Sequence, residues 1–322
     1  MKKLIIQIPC YNEEKTLAVA LAALPRQVPG FDKVEWLVID DGSRDATAAV
    51  AKANGVDHIV RHVRNRGLAR AFMTGLDAAL KAGADVIVNT DADNQYNAED
   101  IPKLTQPICD GKAEFVIGAR PIQQTQHFSA LKKFLQALGS WVVRQVSGTD
   151  VLDAPSGFRA MDRTAARRFI VFNSYTYTLE TIIQAGRQGI AVLSVPIRTN
   201  EDLRPSRLVR SVPSYVWRSC QTIVRIYITY SPFRFFMFLA SFPFIAGLVC
   251  ALNFLYYFAI GQEDRHVPTV VAAGVLWAVG AFLLMEGVLA DLLAINRRLL
   301  EDVRWRLSRL EEQVPGASDQ KT

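Results

Sequence analysis

The sequence predicts an α/β protein, a mostly parallel sheet covered by helices and followed by two membrane-spanning helices. Three observations carry this. Residues 1 to about 120 alternate apolar strand-like runs with helical patterns. Acidic residues gather where those runs end, at Asp40-Asp41 and at Asp91-Ala92-Asp93. Far downstream, residues 235–262 and 267–285 contain no Asp, Glu, Lys or Arg.

The strand-like runs fall at residues 4–9, 35–40, 58–62, 85–90 and 114–118, with a further one at 191–198. Helical patterns lie between the first five, at about 13–24, 45–54, 68–82 and 100–109. Strands alternating with helices imply crossover connections and a parallel sheet. Ser43 is expected to cap the second helix. Residues 128–147 and 163–189 read as helical. Met1-Lys2-Lys3 resembles the start of a signal peptide, but the apolar stretch is short and Glu13 and Glu14 follow, so residues 4–9 read as the first strand.

Each uncharged run is close to or beyond the roughly 20 residues that cross a bilayer core as a helix. The segment before the first run carries Arg204, Arg207, Arg210, Arg218, Arg225 and Arg234, and Arg297, Arg298, Arg304, Arg306 and Arg309 follow the second. Glu263, Asp264, Arg265 and His266 connect the runs without net positive charge. The positive-inside rule therefore places the N-terminal domain and the C-terminal tail in the cytoplasm. The net charge of +6 flanks the spans, which reads as attraction to a membrane surface and not to nucleic acid. The four cysteines have no CxxC spacing, which fits reduced thiols and excludes a structural zinc site of that type. The division is a catalytic domain over 1–206, interfacial amphipathic helices over 207–232, spans at about 235–260 and 267–292 within 233–295, and a cytoplasmic amphipathic helix and tail over 296–322. That last helix has three candidate supports: a partner subunit, the membrane, or its own domain. Glu286 lies inside the second span, where acids face protein or a polar cavity; with two spans per chain, a partner subunit is the natural shield, which favours a homo-oligomer.

The chemistry sits at the strand ends. In open α/β sheets, ligands bind outside the carboxyl ends of the strands. Asp91 and Asp93 follow the 85–90 run, and residues i and i+2 of an extended segment share a face. Both carboxylates can therefore reach one hard cation, Mg²⁺ or Mn²⁺, whose other ligands would include substrate phosphates. Pro9-Cys10-Tyr11-Asn12-Glu13 and Asp40-Asp41-Gly42-Ser43 end the first two strands, where acids can bind ribose hydroxyls or a base edge, or serve as caps and turns. Asn65-Arg66-Gly67, opening a helix of small residues, suits close backbone approach to a ligand.

Taken in order, Pro9-x-Tyr11-Asn12-Glu13, DDGSxDxT at 40–47, NxG at 65–67 and Asp91-x-Asp93-x-Gln95 closely resemble the family 2 glycosyltransferases, whose catalytic domain has the GT-A (Rossmann-like, mostly parallel) fold. Gly118-Ala119-Arg120 and Asp153-Ala154-Pro155-Ser156-Gly157-Phe158-Arg159 resemble the subgroup typified by dolichyl-phosphate mannose synthase and the bacterial polyprenyl-phosphate glycosyltransferases. The resemblance implies donor binding by Pro9, Tyr11, Glu13, Asp40, Asp41, Asp91, Ala92 and Asp93, and metal ligation by Asp91, Asp93 and Gln95. It makes Asp153, with Asp93, a catalytic candidate, as base or as the group orienting the acceptor or a basic side chain. Arg120 is the candidate grip on an acceptor phosphate. The family's second acceptor arginine corresponds to Lys132 or Lys133, and a serine expected one turn later is Gln136. Glu180 is read either as a sugar-hydroxyl ligand or as a surface residue. In the loop before the membrane the relatives' lysine is Arg207 and their earlier arginine is Glu201; Arg204 is the candidate to take over diphosphate contact, Ser206 joins the acceptor set, and the loop reads as a donor lid or a basic membrane patch.

The implied activity is inverting, metal-dependent transfer of a sugar from a UDP- or GDP-linked donor to undecaprenyl or dolichyl phosphate at the cytoplasmic membrane face. Two rivals stand beside it. A processive polysaccharide synthase would carry Gln-x-x-Arg-Trp before a many-span channel, whereas Glu301-Asp302-Val303-Arg304-Trp305 follows the last span. A non-catalytic scaffold would have no need of both aspartates and Gln95.

Overall fold

The computed structural model describes residues 1–121, 130–171, 177–200, 221, 224–225, 228–261 and 267–313, without the side chains of 130–137, 297–298, 301–302 and 304–313. The chain forms two compact units, Met1–Ser219 and Cys220–Thr322.

In the first unit, β1 (Lys3–Cys10), β2 (Lys33–Asp40), β3 (His58–Arg61), β4 (Val86–Asn89), β5 (Phe115–Ala119), β6 (Arg159–Asp162) and β7 (Val192–Pro196) form one sheet in the order β3-β2-β1-β4-β6-β5-β7. Helices α1 (Leu17–Ala23), α2 (Thr47–Ala53), α3 (Leu68–Lys81), α4 (Ile101–Cys109), α5 (Ala130–Ser147), α6 (Arg163–Arg168) and α7 (Thr178–Arg187) connect and cover it. β1, β2 and β4 are buried along nearly their whole length, as expected of parallel strands covered on both faces. α3 buries Ala69, Phe72, Leu76 and Ala79, a three–four spacing that lines one helical face. Each fully buried Leu, Ile, Val or Phe here contributes about 1.5–3 kcal/mol.

Topology gathers the chemistry at one edge. β1, β2 and β4 run parallel, with Cys10 opposite Asp40 and Gln7 opposite Asn89. β6 runs antiparallel to β4 and β5, with Asn89 opposite Arg159, and β7 parallels β5, with Ala119 opposite Pro196. The chain therefore leaves β1, β2, β4, β5 and β7, and enters β6, on the same side. Residues 11–13, 41–47, 90–96, 120, 153–158 and 198–200 converge there.

The strands expected from the sequence are present, with β4 and β7 trimmed at both ends. β6 was not anticipated: four residues beginning with an arginine carry no strand-like pattern, and their pairing comes from two neighbouring strands. The 163–189 pattern divides into α6 and α7. Ser43 does not cap the second helix, which starts at Thr47 with Ala46 at its N-cap. Ser43 instead donates its N–H to Asp40 Oδ1 at 2.8 Å, and its hydroxyl accepts from the Asn12 N–H at 2.9 Å.

The second unit holds α8 (Pro232–Ala259) and α9 (Val267–Gln313). Both are long and apolar enough to cross a bilayer, over Pro232–Ala259 and Val267–Asn296. The charged segment after the second span is not a separate helix but continues α9, which at 47 residues is about 70 Å long. Small residues set the hairpin's register: a Cβ on Gly247 would lie 2.6 Å from Trp277, one on Gly280 2.8 Å from Phe244, and one on Gly287 2.9 Å from Phe236. Glu286 therefore stands level with Phe233 and Phe236, at the Arg234 end of the first span. It remains inside the second apolar stretch, which runs on to Asn296.

At the sheet edge away from the convergence, Glu35 is ion-paired with Lys3, Lys33 and His58. Burial pushes its carboxyl up, but hydrogen bonds from Lys33, His58 and Lys3 outweigh this and bring its pKa down to about 2. A depressed carboxylate stabilises the fold above its unfolded pKa, about 4.3, and that contribution is lost as pH falls toward the folded value. Glu35→Gln is expected to melt below the wild type at pH 7, with the gap closing as pH falls from about 4.3 toward 2; a gap independent of pH over that window would contradict the assignment.

Candidate active site

The first two motifs fold onto each other. Asn12, at a positive φ of 54°, accepts the Arg44 N–H on Oδ1 at 2.9 Å, while the Glu13 N–H donates to Thr47 Oγ1 at 2.8 Å. Much of the DDGSxDxT pattern is thus a clip that fixes the chain after β1. Asp41 is equally occupied: it accepts from the Arg66 and Gly67 N–H groups and lies 2.6 Å from His62 Nδ1. It organises the 62–67 loop, against which Gly42 packs so closely that a Cβ would lie 2.5 Å from the Arg64 carbonyl carbon, at a φ of +73°. Asp40 is different. Its Oδ2 is fully buried, lies 3.0 Å from Arg61 Nε, and accepts no aligned hydrogen bond. A cavity of about 430 Å³ lies at this end of the sheet, lined by Tyr11, Ser43, Arg44, Arg61, Arg64 and neighbouring residues.

Beyond β4 the chain turns through Asp91 and Asp93, with Ala92 buried and Asn94 at a positive φ of 57°. Asp93 Oδ1 accepts the Gln95 N–H at 3.2 Å. Asp91 is half-buried. Burial, and then repulsion from Asp93, push its pKa up to about 7, against the opposing pull of Arg120 and Arg159. Gly157 makes this crowding possible, since a Cβ there would lie 3.0 Å from Asp91 Oδ2. An Asp91 carboxyl disfavoured by burial and by its neighbour Asp93 fits a hard divalent cation. No third His, Cys, Asp or Glu joins them among the described residues, so the remaining ligands would be the Gln95 amide oxygen, water and substrate oxygens.

Arg120 follows β5 and grips Asp153, Nε to Oδ2 at 2.7 Å and Nη2 to Oδ1 at 3.1 Å. Asp153 is 1% exposed. Beneath it Arg159, fully buried, donates to the carbonyls of Ala154, Ser156 and Thr178 and to Thr181 Oγ1, all within 2.8 Å. Burial lowers its pKa to about 10, which leaves it charged at neutral pH. Asn89 links the layers: its amide donates to the Gly157 carbonyl and the Tyr177 hydroxyl, and its oxygen accepts from Gln7.

The structure thus brings together Pro9, Tyr11, Glu13, Asp40, Asp41, Asp91, Ala92, Asp93, Gln95, Arg120 and Asp153 at one sheet edge. Glu180 is buried on α7, not a surface residue. Arg204, Ser206 and Arg207 lie outside the described residues, as do the side chains of Lys132 and Lys133 on α5. Sequence reasoning passed over Arg159, Asn89, Tyr96 and Tyr177. Arg159 closes a motif that had been singled out, so its signal was present; Asn89 and Tyr177 read as ordinary strand and loop residues.

The family described as Glycosyl transferase family 2 matches the chain over residues 5–170. The UDP-N-acetylglucosamine–dolichyl-phosphate N-acetylglucosaminyltransferase of Methanococcus voltae is 31% identical over 220 residues, covering 62% of this chain and 86% of that protein. The undecaprenyl-phosphate mannosyltransferase of Micrococcus luteus is 29% identical over 200 residues, covering 59% and 80%. Among solved structures, glucosyl-3-phosphoglycerate synthase from Mycobacterium tuberculosis, crystallised with Mn²⁺, uridine diphosphate and glucosyl-3-phosphoglycerate, aligns with a TM-score of 0.52 at 20% identity, over 71% of this chain and 80% of that one. That likeness is one of fold, and the fold is GT-A.

Asp91 supplies a pH test. A carboxyl raised to about 7 favours the folded state fully below its unfolded pKa and loses that contribution as pH rises through 7. A bound cation removes the penalty on the ionised form. Mn²⁺ is therefore expected to raise the melting temperature more at pH 8 than at pH 6, and Asp91→Asn to abolish that pH dependence; an equal shift at both pH values counts against the site.

Proposed function

The chain belongs to glycosyl transferase family 2, and on that premise we propose that it moves a sugar from a nucleoside-diphosphate sugar to a polyprenyl phosphate, with inversion, at the cytoplasmic face of a membrane. One observation carries the reading: Arg120 is clamped on Asp153 and is close enough to Asp91 to pull that carboxyl's pKa down. A guanidinium suited to a phosphate thus stands beside a carboxylate pair suited to a cation and a diphosphate.

The donor nucleoside occupies the cavity lined by Tyr11, Ser43 and Arg44, with the Asp40 carboxylate assigned to it from the family pattern. Its diphosphate reaches toward Asp91 and Asp93. A divalent cation held there, Mg²⁺ or Mn²⁺, supplies Lewis-acid stabilisation of the departing diphosphate. An oxygen of the acceptor phosphate attacks the anomeric carbon as the bond to the donor's β-phosphate oxygen breaks, and the electron pair leaves with the nucleoside diphosphate. The nucleophile is already anionic, so no proton has to be removed. Asp153, held by a bidentate arginine, suits a positioning role better than that of a base. Arg120 keeps the N–H groups of Nη1 for the acceptor phosphate. Arg204 and Arg207 are assigned to the donor diphosphate, and Ser206, Lys132 and Lys133 to the acceptor, from the family pattern. A single displacement inverts the anomeric centre.

The membrane face follows from the arginines flanking the two apolar helices. α8 and α9 expose Phe242, Leu252, Phe282 and Leu289, a surface suited to lipid.

Purified full-length protein in detergent, given polyprenyl phosphate, Mn²⁺ and a panel of UDP- and GDP-sugars, is expected to yield a lipid heavier by one sugar, read by mass spectrometry. Asp93→Asn should lower the rate by about 10²-fold or more, in line with the loss of a main electrostatic stabiliser. A long polymer as product, or full activity in Asp93→Asn, would refute the assignment.

A further inference from the structure

Residues 198–200, which leave β7, lie across the turn that carries Asp93 and Gln95. The Asn200 N–H donates to the Gln95 carbonyl at 2.9 Å. The Asn200 side-chain amide donates to the Asn94 carbonyl at 2.9 Å and to the Tyr96 carbonyl at 3.3 Å. One residue thus holds three successive carbonyls, those of 94, 95 and 96. Around it, Thr199 bridges to Tyr96, the Asn97 N–H donates to the Arg198 carbonyl, and Arg198 pairs with the buried Asp100 through Nη2 at 2.8 Å. The strap is therefore tied to residues 94–100, the outgoing side of the turn.

That turn needs an external hold. Asn94 sits at a positive φ of 57°, a conformation uncommon for residues other than glycine. We propose that Asn200 is a positioning residue of the cation site: its side-chain amide fixes the backbone from which Asp93 and Gln95 project, so that their oxygens are preset for the metal. The inference rests on the cation site proposed above. Asn200 touches neither cation nor substrate; it acts through the carbonyls.

The test uses full-length protein in detergent. Mn²⁺ is titrated into wild type, Asn200→Ala, Asn200→Ser and Asp93→Asn, with free ion read by electron paramagnetic resonance. Both Asn200 variants are expected to raise the Mn²⁺ Kd by about tenfold or more, as loss of outer supports does at metal sites. Wild-type affinity in Asn200→Ala beside lost binding in Asp93→Asn overturns the role of Asn200 and leaves the cation site standing. Wild-type affinity in Asp93→Asn overturns the cation site itself. Hydrogen exchange in metal-free protein reads the positioning separately. Amides of 92–97 should exchange about tenfold faster in Asn200→Ala, as expected for one or two lost hydrogen bonds, while β1 and β2 stay as in wild type. Unchanged exchange over 92–97 overturns the proposal, and loss of protection throughout the sheet reduces Asn200 to a general structural role and overturns it equally.

Discussion

The half-buried Asp91 carboxyl is the constraint around which the catalytic unit is organised. It stands against Asp93 and has lost much of its water, so its ionised form is held at a disadvantage. Two arginines, one partly and one fully buried, offset part of this. Arg120 is engaged by Asp153, and Arg159 has only neutral oxygens as hydrogen-bond partners. A divalent cation, as proposed for this pair, would bring the positive charge still wanting there, and a diphosphate would then meet a neutralised surface instead of two bare acids.

The polar groups behind that surface form a backbone-holding framework. Carbonyls after β4 are tied by Asn200, those of 154 and 156 by Arg159, and that of Gly157 by Asn89. Each ligated carbonyl is a buried acceptor that would otherwise go unmet, at a cost of about 1–3 kcal/mol. Side chains such as Asn12, Asp41, Asp45 and Thr47 serve the same purpose on the nucleoside side. At the convergent edge Asp40 Oδ2 is a buried oxygen without an aligned donor, whereas Asp41 beside it is filled by backbone N–H groups. Function and framework therefore divide residue by residue within one motif.

That division explains what was legible in the sequence. Continuous apolar runs such as those of β1, β2 and β4 are properties of a segment and its burial, so they could be read directly, as could the uncharged stretches of α8 and α9. The acids at strand ends were legible because parallel topology sends every such end to one edge. β6 was not, because its four residues become a strand only between β4 and β5. Asn200 and Asn89 were silent for the same reason: an asparagine's partners lie 68 to 106 residues away, and no local pattern announces them. Asp41 read as a ligand because it neighbours Asp40, yet its carboxylate closes a loop.

The Arg120–Asp153 pair bears on how an acceptor phosphate is met. An arginine fixed in a mostly buried site without a counter-charge would pay a desolvation penalty of several kcal/mol, and a mobile one would surrender side-chain entropy on binding. Asp153 removes both difficulties by holding the guanidinium through Nε and Nη2. The price is a weaker net charge toward an incoming anion. Arg159 buried beneath returns positive charge to the surroundings, and with the proposed cation in place an arriving phosphate would find its donors already aimed. An arrangement of this kind favours a group that needs orientation over one that needs deprotonation, which is the requirement of a phosphate nucleophile.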